Sequence, residues 1–290
     1  MNIVELFCRV DDFCKNFMPE YEKRLLANGN KLINTEKLNI SEIITIMINF
    51  HIEGYRDFKN YYKRHVCNVL KWAFPNLVSY NRFVELEKIA MVPLVSFLYA
   101  MKGKETGIYF VDSTDLEVCH IKRAKWNKTF KGLAAKSKGT MGWFYGFKLH
   151  FICNDKGEIM SLCVSKGNVD DRVPVRNLAK DLHGSLVGDR GYIDFKLFED
   201  LMAKGLKLIT KIKSNMKNKL MPLVDKILLR KRSIIETIND QLKNIYQIEH
   251  TRHRSPINFL VNLFSGLAAY CLSPKKPSLN LKNKFLLIAQ

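Results

Sequence analysis

The sequence is poor in acid. Its 290 residues carry 28 Asp and Glu against 47 Lys and Arg, a formal net charge of +19. Such a surplus repels itself in a compact fold unless a polyanion offsets it, and each phosphate neutralised by a protein releases a counterion. Nucleic acid is therefore the expected partner; a merely basic, soluble protein is the alternative. Paired cysteines are also lacking. Cys8, Cys14, Cys67, Cys119, Cys153, Cys163 and Cys271 include no C-x-x-C and are odd in number, which argues against a disulfide framework or a structural zinc site and for a reducing compartment. Long apolar runs are missing, since stretches such as residues 89–100 are too short to span a bilayer. The N-terminus, MNIVELFCRVDDF, has no basic segment ahead of an apolar core, so no signal peptide is expected and the chain reads as soluble and cytoplasmic. What remains is a globular balance, 47% hydrophobic and 26% charged, with no repeat or low-complexity tract.

Two regions differ in character. Residues 1–103 read as a helical domain. Ser41 is expected to cap a helix over SEIITIMINFHIEGY, and Ser79 another over YNRFVELEKIAMVPLVSFLYA, broken or kinked at Pro93. Aromatic and basic residues interleave in GYRDFKNYYKRHVCNVLKW. That pattern suits a helix along a phosphate backbone, and equally an amphipathic helix whose Lys and Arg snorkel. Residues 104–290 read as a mixed α/β domain with a single sheet. IYFV (108–111) is a short apolar strand ending in Asp112, and a basic stretch over 122–142 reads as a loop. WFYGFKLHFIC and EIMSLCVS are joined by the turn NDKG as a hairpin, and SLVG leads into Asp189. Helices are expected over 170–182, over 193–204 and through Glu236, and a strand over 206–212.

The acids suggest chemistry. Phosphodiester cleavage needs an activated water or 3′-hydroxyl in line with a leaving oxygen, and two divalent ions serve both. Mg²⁺ binds through a few carboxylates and keeps waters for substrate phosphates, so such a site needs two or three converging acids in basic surroundings. Asp112 (FVDST) and Asp189 (LVGDRGY) each follow an apolar strand. Glu236 (RSIIETINDQLK) sits on a helix that carries Arg232 and Lys243 on the same face. Each acid alone has an ordinary explanation: Asp112 as a cap, Asp189 as a strand end, Glu236 as a partner of Arg232. Their order in a basic α/β domain favours a single site.

At these residues the chain resembles bacterial insertion-sequence transposases of the DDE type, most nearly the insertion-sequence-nine-eight-two family. The resemblance rests on FVDSTDLEVCHIKR, KGTMGWFYGFKLHFICNDKGEI, KGNVDDRVPV, LVGDRGYI, RKRSIIETINDQLK and NFLVNLFSGLAAY, and reaches into FHIEGYRDFKNYY and FPNLVSYNRFVELE. It implies an RNase H-like catalytic domain, a mixed central sheet flanked by helices, after the helical N-terminal domain. It implies catalysis and metal binding by Asp112, Asp189 and Glu236 with Mg²⁺ or Mn²⁺, two ions, and cleavage and strand transfer at the element's terminal inverted repeats. It further implies double-stranded DNA as partner and a homodimer or higher assembly on it. Leu229 departs from the pattern, because related families carry Tyr three residues before the Arg of this helix. The residues also leave open a structure-selective nuclease without strand transfer, or an inactive DNA-binding descendant.

Basic residues expected to contact DNA are Arg190 beside Asp189, Arg232 and Lys243 beside Glu236, and Lys211 and Lys213 from the basic run between the last two acids. Lys148 joins them with His150, alternating with Phe147, Leu149 and Phe151. A solvated face is the competing reading for each. Asp170 and Asp171 are read as helix-capping residues.

Overall fold

The computed structural model describes residues 1–29, 37–139, 142–211, 221–249 and 253–279. Helices come first: α1 (Ile3–Ala27), α2 (Ile40–Ile52), α3 (Phe58–Asn60, running into a π-helical turn, Tyr61–Val66), α4 (Tyr80–Leu86) and α5 (Met91–Ala100). Then come strand β1 (Ile108–Cys119), a 3-10 segment (Ile121–Trp126), β2 (Ala135–Gly139), β3 (Gly142–Asn154) and β4 (Ile159–Lys166). The chain continues through α6 (Val175–Leu178), β5 (Gly184–Val187), α7 (Phe195–Met202), β6 (Leu206–Ile209), α8 (Leu223–Arg230), α9 (Ser233–Asp240) and α10 (Pro256–Leu272). Contacts divide it into two compact units: Met1–Met101 with Leu242–Ser273, and Lys102–Gln241 with the segment from Pro274. No helix among the described residues is long and apolar enough to cross a membrane.

The first unit is helical. α2 and α10 are apolar on nearly every side and buried, as expected for central helices. They pack on each other, with α1 against α2 and α5 against α10. The cap of α2 is Asn39, not Ser41. Its side chain accepts from the Glu42 amide at 2.7 Å while Glu42 accepts from the Asn39 amide at 2.8 Å, a reciprocal pair that satisfies two otherwise orphaned donors. Ser41 instead donates to Asp11 at 2.8 Å. Ser79 caps α4 as expected. The chain turns before Pro93, which falls in the first turn of α5, where a missing amide costs no helical bond. Tyr61 and Tyr62 are fully buried and pack with Phe58, so these aromatics serve the core.

The second unit is built on one sheet, ordered β4-β3-β1-β5-β6. β1, β3 and β4 are antiparallel neighbours, whereas β5 runs parallel to β1 and β6 parallel to β5. That is the sheet of an RNase H-like fold. β2 extends the outer edge of β3 ahead of β4, pairing Ala135–Gly139 with Gly142–Gly146. The expected loop over 122–142 is therefore partly strand; AKSKG gives an edge strand no apolar alternation to betray it. The helix expected over 170–182 shrinks to α6. The Asp170 carboxylate accepts from the Arg172 amide (2.9 Å) and grips its guanidinium, closing a turn before Pro174. Alternation sorts the two sheet faces. Tyr109, Val111 and Ile152 pack with Val175, Leu178, Leu197 and Leu201 from α6 and α7, and even-numbered β1 residues face the other way, toward α9.

β1 and β3 approach closely at Gly146. A Cβ there would lie 1.9 Å from the Leu116 carbonyl oxygen, beside the irregularity between Glu117 and Cys119. Backbone cannot yield as a flexible side chain can. Gly146→Ala is expected to destabilise the second unit by about 3 kcal/mol, read as a lowered urea midpoint; an unchanged midpoint would show that the strands can separate at no cost.

Candidate active site

Strand register brings two of the acids together. β1 and β5 pair in parallel through Phe110↔Val187, where the pairing ends. Asp112 lies two residues beyond Phe110 and Asp189 two beyond Val187, so both occupy the same step past the paired ends of adjacent strands. Asp112 is not at a strand end, as the sequence suggested. β1 continues to Cys119, still paired to β3, with Asp112 opposite Phe151. Its neighbour on the β5 side has stopped, and that opens the edge.

Local contacts fix both carboxylates. Asp112 Oδ1 accepts from the Ser113 amide at 2.9 Å, and Oδ2 accepts from Asn239 Nδ2 of α9 at 3.1 Å. Asp189 caps a 3-10 turn, Arg190–Tyr192, by accepting from the Gly191 amide at 2.8 Å. Tyr192 folds back over Gly188 and Val111, is 2% exposed, and hydrogen-bonds the Ser113 side chain. A Cβ on Gly188 would come within 3.0 Å of its ring, so the G-D-x-G-Y block is a packing unit that ties Asp189 to β1.

α9 supplies the third acid and the counter-charge. Arg232 at its start forms an ion pair with Glu236 one turn on, and its Nη1 lies 3.9 Å from Asp112 Oδ2. Glu236 is more than half exposed; Asp112 is largely buried. Burial raises the Asp112 carboxyl to about 6. The Ser113 amide and Arg232 oppose that rise, and the charges of Asp189 and Glu236 add to it. The three acids thus feel one another. As the side chains stand, the described residues gather no set of three acid, His or Cys groups able to hold an ion, and Glu236 is paired with Arg232. The i, i+3 spacing puts Asn239 on the Glu236 face of the helix; that it donates to Asp112 is a long-range contact the spacing does not give.

The basic candidates fall in different places. Arg190 is exposed directly after Asp189, and Lys211 is exposed after β6. Lys213 lies outside the described residues, as do Lys217, Lys219 and Arg252. Lys148 is mostly buried on the sheet face opposite Asp112, donating to Asp171 at 2.9 Å and to the Val169 carbonyl at 3.4 Å. His150 sits beside it, hydrogen-bonded to Ser165, with burial lowering its pKa. Lys243 belongs to the first unit and pairs with Glu249 at 3.2 Å. Leu229 is a buried residue of α8.

A sheet of this order, with two acids one step past the end of its central parallel pairing, defines a class, the RNase H-like folds. The family model for the transposase DDE domain matches residues 102–256, more than half of the chain, and the chain belongs to that family. Among curated proteins none matches. A cryo-EM structure of a piggyBac transposase synaptic complex with hairpin DNA is similar at a TM-score of 0.44 and 9% identity, over 98% of this chain and 82% of that one; a likeness that slight carries no argument.

Proposed function

We propose that the chain is the transposase of a bacterial insertion sequence of the nine-eight-two type, cutting and joining DNA at terminal inverted repeats with Asp112, Asp189 and Glu236. The observation that carries this is the shared step of Asp112 and Asp189 past the paired ends of β1 and β5, with α9 laid over Asp112.

The donor set fits a hard divalent cation. The Asp112 carboxyl is raised by burial and further by Asp189 and Glu236, against one guanidinium at 3.9 Å, so the cluster lacks positive charge. Asp112, Asp189 and Glu236 would hold Mg²⁺ or Mn²⁺, two ions, with Glu236 leaving Arg232. Bound ions would supply Lewis-acid activation of the attacking oxygen and charge stabilisation at the leaving one. The chain's own residues do the positioning. The Ser113 amide and Asn239 fix both Asp112 oxygens, and the Tyr192–Ser113 contact holds the Asp189 turn in register. Arg232, released from Glu236, is placed to meet a phosphate, and Arg190 and Lys211 extend the basic rim. We further infer that residues 1–103 recognise the transposon ends or mediate oligomer contacts, that the catalytic domain lies within residues 104–290 but without Leu242–Ser273, which belong to the helical unit, and that a dimer or larger assembly in the bacterial cytoplasm, nucleoid-associated, joins both ends.

Strand transfer separates this reading from a nuclease on the same fold. Pre-cut inverted-repeat ends incubated with the protein, Mg²⁺ and a target plasmid are expected to yield covalent joints. Nicking of the ends without joints would favour the nuclease.

A further inference from the structure

The second unit carries a feature that the acids do not use. Residues 118–154 contain no Asp or Glu and eight Lys and Arg. Apart from Lys148, which is paired with Asp171, these are Lys122, Arg123, Lys125, Lys128, Lys131, Lys136 and Lys138, all exposed. Two tryptophans stand among them, Trp126 at 74% exposure and Trp143 at 63%. Tryptophan offers a large apolar area that a fold normally buries, and leaving two in water on a basic segment that carries no acid of its own marks an interaction site.

The segment is held in place rather than frayed. Phe130 is buried and meets Phe147 of β3 edge-on at 5.8 Å. Its carbonyl accepts from the Tyr145 hydroxyl at 3.0 Å and its amide donates to Asn127 at 3.0 Å. Trp126 closes the 3-10 turn just before this anchor, and Trp143 begins β3 opposite Lys138 of β2. Lys136 and Lys138 are both exposed and alternate along an edge strand, which spaces their charges at about 6.7 Å. The nearest acids in the sheet, Asp115 and Glu117, are half-buried on β1, and the Asp115 carboxylate lies against Gly139 at the end of β2, so seven exposed cations outnumber the one acid that reaches them.

We propose that this surface binds an unpaired stretch of DNA strand, with Trp126 and Trp143 stacking on its bases and the lysines of β2 and the 3-10 segment on its phosphates. The inference rests on the transposase reading and names a further part of its substrate. Exposed rings flanked by lysines suit a single strand, whose bases offer open π-faces; the bases of a duplex are already stacked. β1 sets the distance to the acids. It runs seven residues from Asp112 to Cys119, which pairs with Tyr145, two residues from Trp143 on β3, roughly 23 Å. That corresponds to about six or seven nucleotides at roughly 3.4 Å each, so the unpaired stretch starts about that far from the scissile phosphate.

The test uses full-length protein with Ca²⁺ in place of Mg²⁺. Fluorescence anisotropy would compare an inverted-repeat duplex with the same duplex bearing a single-stranded arm. Trp126→Ala and Trp143→Ala are each expected to weaken arm-bearing DNA about tenfold while leaving duplex affinity unchanged, and Trp126→Phe and Trp143→Phe are expected to restore most of the loss. A 2-aminopurine in the arm, six or seven nucleotides from the cut, is expected to be quenched by the wild type and not by the double alanine variant. Equal loss on both DNAs, or no loss on either, overturns the stacking proposal; if those variants still cut the ends in Mg²⁺, the transposase reading stands. Failure of the wild type to bind either DNA overturns both.

Discussion

Replacing Asp112 with Asn is expected to remove DNA cleavage, by at least about 10³-fold, and at the same time to stabilise the metal-free protein above pH 6. Burial and the charges of Asp189 and Glu236 raise the folded carboxyl from 3.8 to about 6. The sign follows from proton uptake. Between those values the folded chain holds a proton that the unfolded chain has released, so stability is greatest below pH 3.8 and falls as pH rises through about 6. The substituted amide would carry no charge and could still accept one of the bonds now made by Ser113 and Asn239, although its NH₂ group would oppose the other donor. The net gain is about 1–2 kcal/mol at pH 8 and about zero near pH 4. Chemical denaturation of both proteins in chelator at the two pH values checks this. Added Mg²⁺ should then reverse the ranking at pH 8, because ligands that bind only the folded state stabilise it and an amide is a poorer ligand than the Asp112 carboxylate. Equal stability of the two proteins at pH 8 would mean that Asp112 is not under the strain of its neighbours.

The second large effect belongs to the helical unit. Glu87 is 8% exposed beneath α10, where it accepts a short hydrogen bond from Asn258, and burial raises its carboxyl from 4.5 to about 8. The folded state again holds the extra proton, so its contribution is present below pH 4.5 and lost as pH rises through about 8. Glu87→Gln keeps an acceptor for Asn258 and removes the charge. It is expected to stabilise this unit by about 2–4 kcal/mol at pH 9 and to change little at pH 5. The sequence has three tryptophans, of which Trp72 lies in this unit and Trp126 and Trp143 in the other. Trp72 fluorescence in a chain with Trp126→Phe and Trp143→Phe therefore follows the right transition. A gain of equal size at both pH values would contradict the assigned ionisation.

Much of this was legible in the sequence, and the failures have physical causes. The hairpin of β3 and β4 announced itself by alternation about N-D-K-G, and Gly157 there takes the positive φ (70°) that the turn needs. Asp112 and Asp189 stood out because each follows a run apolar on both faces, the mark of a central strand. The same rule hid the rest of β1. Beyond Phe110 the strand loses β5 and one edge opens, so D-S-T-D reads as a turn although β3 keeps it extended to Cys119. β2 was invisible because edge strands need no apolar residues. Asn39 was passed over for Ser41 since both are good caps two residues apart, and only packing of α1 shows that Ser41 is engaged with Asp11. The parallel register that aligns Asp112 with Asp189, and the bond from Asn239 to Asp112, join residues distant in the chain, and no local pattern encodes them.

Cleavage of DNA carrying the element's inverted repeat, with wild type and with Asp112→Asn, Asp189→Asn and Glu236→Gln in Mg²⁺, tests the central claim most directly. Cutting at the repeat terminus by the wild type, and its loss in all three variants with DNA binding retained, is the expected result. Glu236→Gln cutting at the wild-type rate would contradict a site built from these three acids.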